Sequence, residues 1–199
     1  NFFEKIQAEF VDLEFKKVKQ THSDLVIEAS EKLNEADAHF TKKTNEALLI
    51  STADCMPVMI YCRQTHRVAA VHAGWRGVQN KIVEKTLTEL VASGSSKKDF
   101  QFWIGPHILQ NSFEVDEMEY LQLCESQYGL GAEEYSICKN NRYYIDLKKI
   151  VVSQIKNILA AEPGIVFSDI DTKTNTNYHS YRRDQQTKER NLSFICLLS

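Results

Sequence analysis

The chain is poor in the residues that punctuate loops and close disulfides. Its 199 residues include only 7 Gly and 3 Pro, too few for a fibrous, linker-like or low-complexity chain. The five cysteines, at positions 55, 62, 124, 138 and 196, are scattered and odd in number, and no C-x-x-C pair occurs. That spacing offers no disulfide framework. It fits reduced thiols in a reducing compartment, and a cytoplasmic location is the expectation. Long apolar runs are missing as well. No window approaches the roughly 20 apolar residues of a membrane helix, and Asn1-Phe2-Phe3-Glu4-Lys5 leads into charges rather than into an apolar signal segment. Nor is there an excess of one charge. A formal net charge of −3 gives no global electrostatic reason to expect nucleic acid or an anionic membrane as a partner.

What remains is a length that suits one domain, residues 1–199, able to bury its own core. Residues 2–10 have helical spacing, while 15–20 and 24–29 read as strands. Three short apolar runs, 47–52, 57–62 and 67–72, are separated by Ala53-Asp54-Cys55 and by Arg63-Gln64-Thr65-His66, the pattern of sheet strands joined by tight turns. Beyond Gly77, a helix carries Ile82, Val83, Leu87, Leu90 and Val91 on one face, and Ser93-Gly94-Ser95-Ser96 ends it. Phe100–Ile104 reads as a buried strand. Helices are predicted from Asp116 to about Ser126 and from Asp146 to Ala161, with a final strand over 192–198. Strands and helices mixed without regular βαβ alternation indicate an α+β fold, a layered α/β/α sandwich around a mixed sheet.

The chemistry concentrates in residues 51–77. Cys55 lies in a turn between two strands, followed by Met56-Pro57, and His72 ends a strand among small residues. Two metal-competent groups at the ends of neighbouring strands can meet in space. Ala73, Gly74 and Gly77 let backbone or ligand come close. Arg76 stands in a Gly-flanked turn opening a helix, where free N–H groups and a planar guanidinium suit an anion. Taken singly, each residue has an ordinary reading: Cys55 as a small buried hydrophobe, His72 as a hydrogen-bonded strand end, Asp54 as a turn cap, Arg76 as a surface ion pair. Their accumulation with Trp75 in one stretch is what favours function.

The strings TADCMPV and AAVHAGWRG resemble the signature of the YfiH/laccase-domain family, which includes FAMIN-related proteins. KQTHSDLV, WIGPHI with the following FEV, Asp146-Leu147 and YHSYRRD resemble its outer motifs. The family was once named for multicopper polyphenol oxidase activity, and its members are read as zinc-dependent purine nucleoside enzymes. The resemblance implies a zinc site of His22, Cys55 and His72, three ligands from distant stretches that leave a position open as catalytic sites do. It implies phosphorolysis of adenosine, inosine, guanosine or methylthioadenosine, and hydrolytic deamination of adenosine. Purine nucleosides and inorganic phosphate would be the partners, in a monomer or homodimer. In this reading Cys55, Asp54 and Arg76 are the catalytic candidates, with Asp54 orienting a ligating histidine or moving protons. Arg76, Phe113 and Arg182 are the substrate-binding candidates.

Weaker candidates are Trp75 and Phe113 as purine stackers, Glu114 as an acceptor, His107 as an extra pocket group, and Arg183 with Asp184. His39, His66 and His179 have no context that singles them out. Copper is disfavoured, because a His-rich ligand set with an axial Met is missing. The resemblance also has gaps. Ser23 replaces a Gly, Asn111-Ser112 and Asp171-Thr172 stand where cysteines are common, and the family's earlier strands, with their Arg/Gly/Gly/Ser-type motif, have no counterpart here. Two rival readings stay open. One is a Cys55/His72 amide hydrolase editing peptidoglycan precursors, and the other is a non-catalytic metal-binding module.

Overall fold

The computed structural model describes residues 2–10, 12–125, 133–159, 162–185 and 187–199. In chain order the elements are α1 (Phe2–Glu9), β1 (Glu14–Lys16), β2 (Val26–Glu28), β3 (Ala38–Thr41), β4 (Glu46–Thr52), β5 (Met56–Cys62), β6 (Arg67–Ala73), α2 (Trp75–Gln79), α3 (Ile82–Ala92) and β7 (Phe100–Ile104). Then follow β8 (Glu114–Val115), α4 (Glu117–Tyr120), a π-helical turn (Leu121–Glu125), β9 (Ser136–Lys139), β10 (Arg142–Ile145), α5 (Leu147–Ile158), β11 (Gly164–Phe167), α6 (Tyr181–Asp184) and β12 (Asn191–Ile195).

Six strands form the main sheet in the order β11-β7-β5-β6-β3-β2. Its centre is antiparallel, and the outer pairs β7/β11 and β3/β2 are parallel. Alternation along β5 and β6 sends side chains to two different cores. Val58, Ile60, Ala69 and Val71 face α3 and α5, where they meet Leu87, Leu90, Ile150 and Val151. Met59, Val68 and Ala70 face Leu48 and Ile50 of β4. Each fully buried aliphatic side chain contributes roughly 1.5–3 kcal/mol. The β4 strand belongs to a second sheet, β1-β4-β12, and a third, β8-β10-β9, is antiparallel.

The fold is α+β around a mixed sheet, as the sequence indicates. Its layering takes a particular form, with helices on one face of the main sheet and the β1-β4-β12 sheet on the other. The near-continuous apolar run of β4, buried along most of its length, is what allows it to serve as a middle strand between such layers.

Some boundaries differ from expectation. Of the 15–20 segment only Phe15 and Lys16 lie in a strand, β1 (Glu14–Lys16). The helix opening at Asp116 has a capping box, with Asp116 accepting from the Glu119 N–H, but it turns π-helical at Leu121, and its expected end near Ser126 lies outside the described residues. Asp146 caps α5 through the Lys149 N–H. That helix stops at Ile158 because Leu159 is already extended, and the expected end at Ala161 also lies outside the described residues. The short strands β3, β8, β9, β10 and β11 carry too little alternation to announce themselves. Among the described residues, no helix is long and apolar enough to cross a membrane.

Candidate metal centre

Antiparallel register explains why two distant residues meet. Met56 pairs with Ala73 and Pro57 with His72, so the turn carrying Cys55 abuts the end of β6. His22 arrives from the loop between β1 and β2, with its backbone left-handed at φ 58°. The ligand atoms of His22, Cys55 and His72 all lie within 4.8 Å of one another. Cys55 Sγ is 3.9 Å from His22 Nε2, and the two imidazole rings stand edge-to-face with centroids 4.8 Å apart.

Asp37, at the head of β3, organises this group. Its carboxylate is fully buried, lies 2.7 Å from His72 Nδ1, and accepts from the backbone N–H groups of Thr21, His22 and Ser23 at 3.1, 3.1 and 2.7 Å. One carboxylate thereby fixes the orientation of His72 and shapes the loop that presents His22, as a carboxylate behind a metal-binding histidine does. Burial pushes Asp37 up, but hydrogen bonds from His72 and Ser23 prevail and hold it well below the usual carboxylate range. For His72, burial pushes down, and the hydrogen bonds with Asp37 and Cys55 overcome it, lifting it to about 9. For Cys55, burial pushes the thiol up, and hydrogen bonding with His22 and His72 outweighs it, leaving it at about 7.

These donors fit a thiophilic divalent ion such as zinc: one sulfur and two imidazoles, one imidazole backed by a carboxylate. A second observation supports the fit. Gly74, which caps α2, packs so closely that a Cβ there would lie 3.1 Å from His22 Cδ2 and 3.2 Å from Cys55 Sγ. The backbone thus cradles the trio where a side chain would crowd it.

The trio opens into a cavity of about 710 Å3 whose lining includes Trp75, Arg76, Phe113, Tyr181, Arg182 and Arg190. That volume is in the range of small-molecule sites. Arg76 is exposed, with its guanidinium carbon 4.3 Å from the centroid of the neighbouring Trp75 ring. Phe113 is buried, and the Arg182 guanidinium lies 5.7 Å over its ring and donates to the Glu114 carbonyl at 2.7 Å.

Several candidates are engaged otherwise. Asp54 lines the cavity, but its carboxylate accepts from the Thr172 hydroxyl at 2.7 Å and from the Arg182 backbone N–H at 2.6 Å. The carboxylate bonded to a candidate ligand, His72, is Asp37. The Glu114 carboxylate accepts from the Tyr144 hydroxyl at 3.1 Å. His107 is buried, with Nδ1 2.8 Å from the Gly105 carbonyl. Arg183 is structural, donating to the carbonyls of Thr172, Lys173, Asn175 and Tyr178. The sequence reading passed over Asp37, Tyr181 and Arg190. The one available signal for Asp37 was an acid set in the small-residue run Ala36-Asp37-Ala38 at the start of an apolar segment.

Comparison with known proteins agrees with this architecture. A family profile described as multi-copper polyphenol oxidoreductase laccase matches residues 4–198. A purine nucleoside phosphorylase of Clostridium acetobutylicum is 36% identical over 184 residues, covering 89% of this chain and 75% of the relative. One of Rickettsia prowazekii is 32% identical over 178 residues, covering 83% and 69%. Among solved structures, Neisseria meningitidis protein NMB0706 superimposes with a TM-score of 0.86 at 27% identity, covering 99% of this chain and 80% of that one. The YfiH protein of Bacillus licheniformis, at 23% identity, shares the fold with a TM-score of 0.88 over 97% of this chain and 79% of its own. A profile match across nearly the whole chain, relatives above 30% identity and the shared fold place this chain in the YfiH/laccase-domain family.

Proposed function

We propose that this chain is a purine nucleoside phosphorylase whose zinc ion is held by His22, Cys55 and His72, acting on adenosine, inosine, guanosine or methylthioadenosine, and that it also deaminates adenosine. The observation that carries this reading is a single cavity lined by a sulfur–imidazole trio, three arginines and three aromatic rings. Relatives named purine nucleoside phosphorylase support it. Trp75, Phe113 and Tyr181 offer apolar faces to a purine. Arg76, Arg182 and Arg190 offer guanidinium forks to phosphate. In phosphorolysis a phosphate oxygen bonds to the ribose C1′ as the N-glycosidic bond breaks. The base leaves with the electron pair and takes up a proton. When bound, the ion supplies Lewis-acid polarisation and an activated water, the second being what deamination needs. The residues around it hold the reactants and exclude bulk water. The five free thiols suit a reducing, cytoplasmic setting.

The test is product analysis on adenosine with and without phosphate, paired with metal analysis of the purified chain. Adenine formed only with phosphate, and inosine formed without it, are the expected products. A protein that carries no zinc and releases neither product would end the proposal. The closeness of Cys55 to His72, and to His22, also suits a thiol nucleophile with its base. Stoichiometric zinc bound through Cys55 decides against that alternative, since a ligated thiolate is a poor nucleophile.

A further inference from the structure

Asp54 adjoins a metal-ligand candidate, yet its carboxylate serves a segment more than a hundred residues away. Oδ1 accepts from the Thr172 hydroxyl at 2.7 Å and Oδ2 from the Arg182 backbone N–H at 2.6 Å. Asp54 is 9% exposed and Thr172 is fully buried, so the Thr172 contact is shielded from water and hard to replace, and the Arg182 contact is partly shielded. The two partners bracket one loop. Its interior is filled by the Arg183 guanidinium, which donates to carbonyls at 172, 173, 175 and 178. Beyond the loop, the Arg182 side chain reaches back over Phe113 and the Glu114 carbonyl at the cavity wall. That carbonyl occupies a single N–H of a guanidinium that has five. Asp54 is itself left-handed, at φ 82°, a conformation that Asp, Asn and Gly accept more readily than most residues.

We propose that Asp54 is a positioning residue: by binding Thr172 and the Arg182 backbone on its two oxygens, it closes the 172–182 loop and fixes the Arg182 guanidinium at the cavity wall to receive phosphate. This rests on the phosphorylase reading given above. The same contacts tie the turn that carries Cys55 to the anion-binding wall, so two parts of the cavity distant in sequence keep a constant spacing.

Asp54→Gly is the informative variant, because it releases both partners at no backbone cost. It is expected to raise the KM for inorganic phosphate about 10-fold, the size of one or two lost hydrogen bonds, with kcat changed much less. Amide hydrogen exchange over 172–183 should accelerate, and zinc content should hold. Asp54→Asn should rescue both readouts, since its oxygen can accept from Arg182 N–H and its amide can donate to the Thr172 hydroxyl. Arg182→Ala should raise the same KM, and the double variant Asp54→Gly/Arg182→Ala should be no worse than Arg182→Ala alone. Thr172→Val, which opens one end of the loop, should accelerate exchange even if Asp54→Gly does not fold. Unchanged exchange, multiplying KM effects in the double variant, or zinc loss that tracks the lost activity would each overturn the proposal. Should the wild-type chain turn over no nucleoside with phosphate, the phosphorylase reading fails, while the exchange comparison still decides the role of Asp54.

Discussion

Among the described residues, two groups of three ligand-type side chains bring their donor atoms close together. His22, Cys55 and His72 form one, Glu14, Glu31 and Glu46 the other, each with donor atoms within 4.8 Å of one another. Their surroundings differ in kind. The glutamates gather around the Lys16 ammonium, which lies 2.6 Å from Glu14 and 3.8 Å from Glu46 and also contacts Glu31. The stem of Lys16 is buried. Burial lowers its affinity for a proton, but the hydrogen bonds it donates to Glu14 and Glu31 more than restore it. The chain's own cation thus answers that cluster. Around the sulfur and imidazoles the partner is instead an anion, Asp37, which stabilises imidazole orientation and adds negative charge behind the donors. Proximity of donors alone therefore identifies no metal site, and the sign of the nearest built-in charge separates these two clusters.

This contrast can be broken in order of expected effect. Cys55→Ala should abolish tight zinc binding, by more than the about 10–100-fold that loss of a carboxylate behind a ligand costs; zinc retained at full stoichiometry, measured by elemental analysis, would refute the site. Asp37→Asn should weaken zinc by about 10–100-fold in a chelator competition, while leaving the three donors in place. An unchanged affinity would show that Asp37 serves only the loop.

The buried histidines sharpen the same point. His72 has a carboxylate and is raised to about 9. His39 lies wholly in the core, and burial pushes it from 6.5 down to about 4. Between those two values the unfolded chain binds the proton that the folded chain refuses, so stability rises with pH there. The contribution is complete above about 6.5 and falls by about 3 kcal/mol as pH drops towards 4. His39→Leu should flatten that acid limb in denaturant titrations, and an unaltered limb would place the acid sensitivity elsewhere. Lys16→Met should lower Tm by a few degrees, because the buried Glu46 loses one of its two cations and keeps Lys43 and the Thr41 hydroxyl, without altering zinc content. Glu31→Gln, at an exposed carboxylate, should hardly move either.

Much of this was legible in advance. The runs 47–52, 57–62 and 67–72 announce β4 to β6 because their apolar stretches are long and turn residues bound them, and Ile82, Val83, Leu87 and Leu90 announce α3 through helical spacing. Cys55 and His72 at facing strand ends follow from that pattern once the hairpin is seen. Asp54 shows the limit. Its neighbour in sequence is a ligand candidate, and proximity along the chain suggested service to a histidine, yet its partners lie at 172 and 182. Asp37 shows the converse, an unremarked acid that organises the site through residues 21–23 and 72.

The sequence by itself determined the central strands, the α+β class and the local chemistry of residues 51–77, because those depend on periodicity and on residue type within short stretches. Only the tertiary structure decided which carboxylate stands behind His72, what neutralises the glutamates, and that Arg182 and Arg190 share a cavity with the trio. Most of those outcomes depend on contacts between residues tens to more than a hundred positions apart, and no local pattern encodes them.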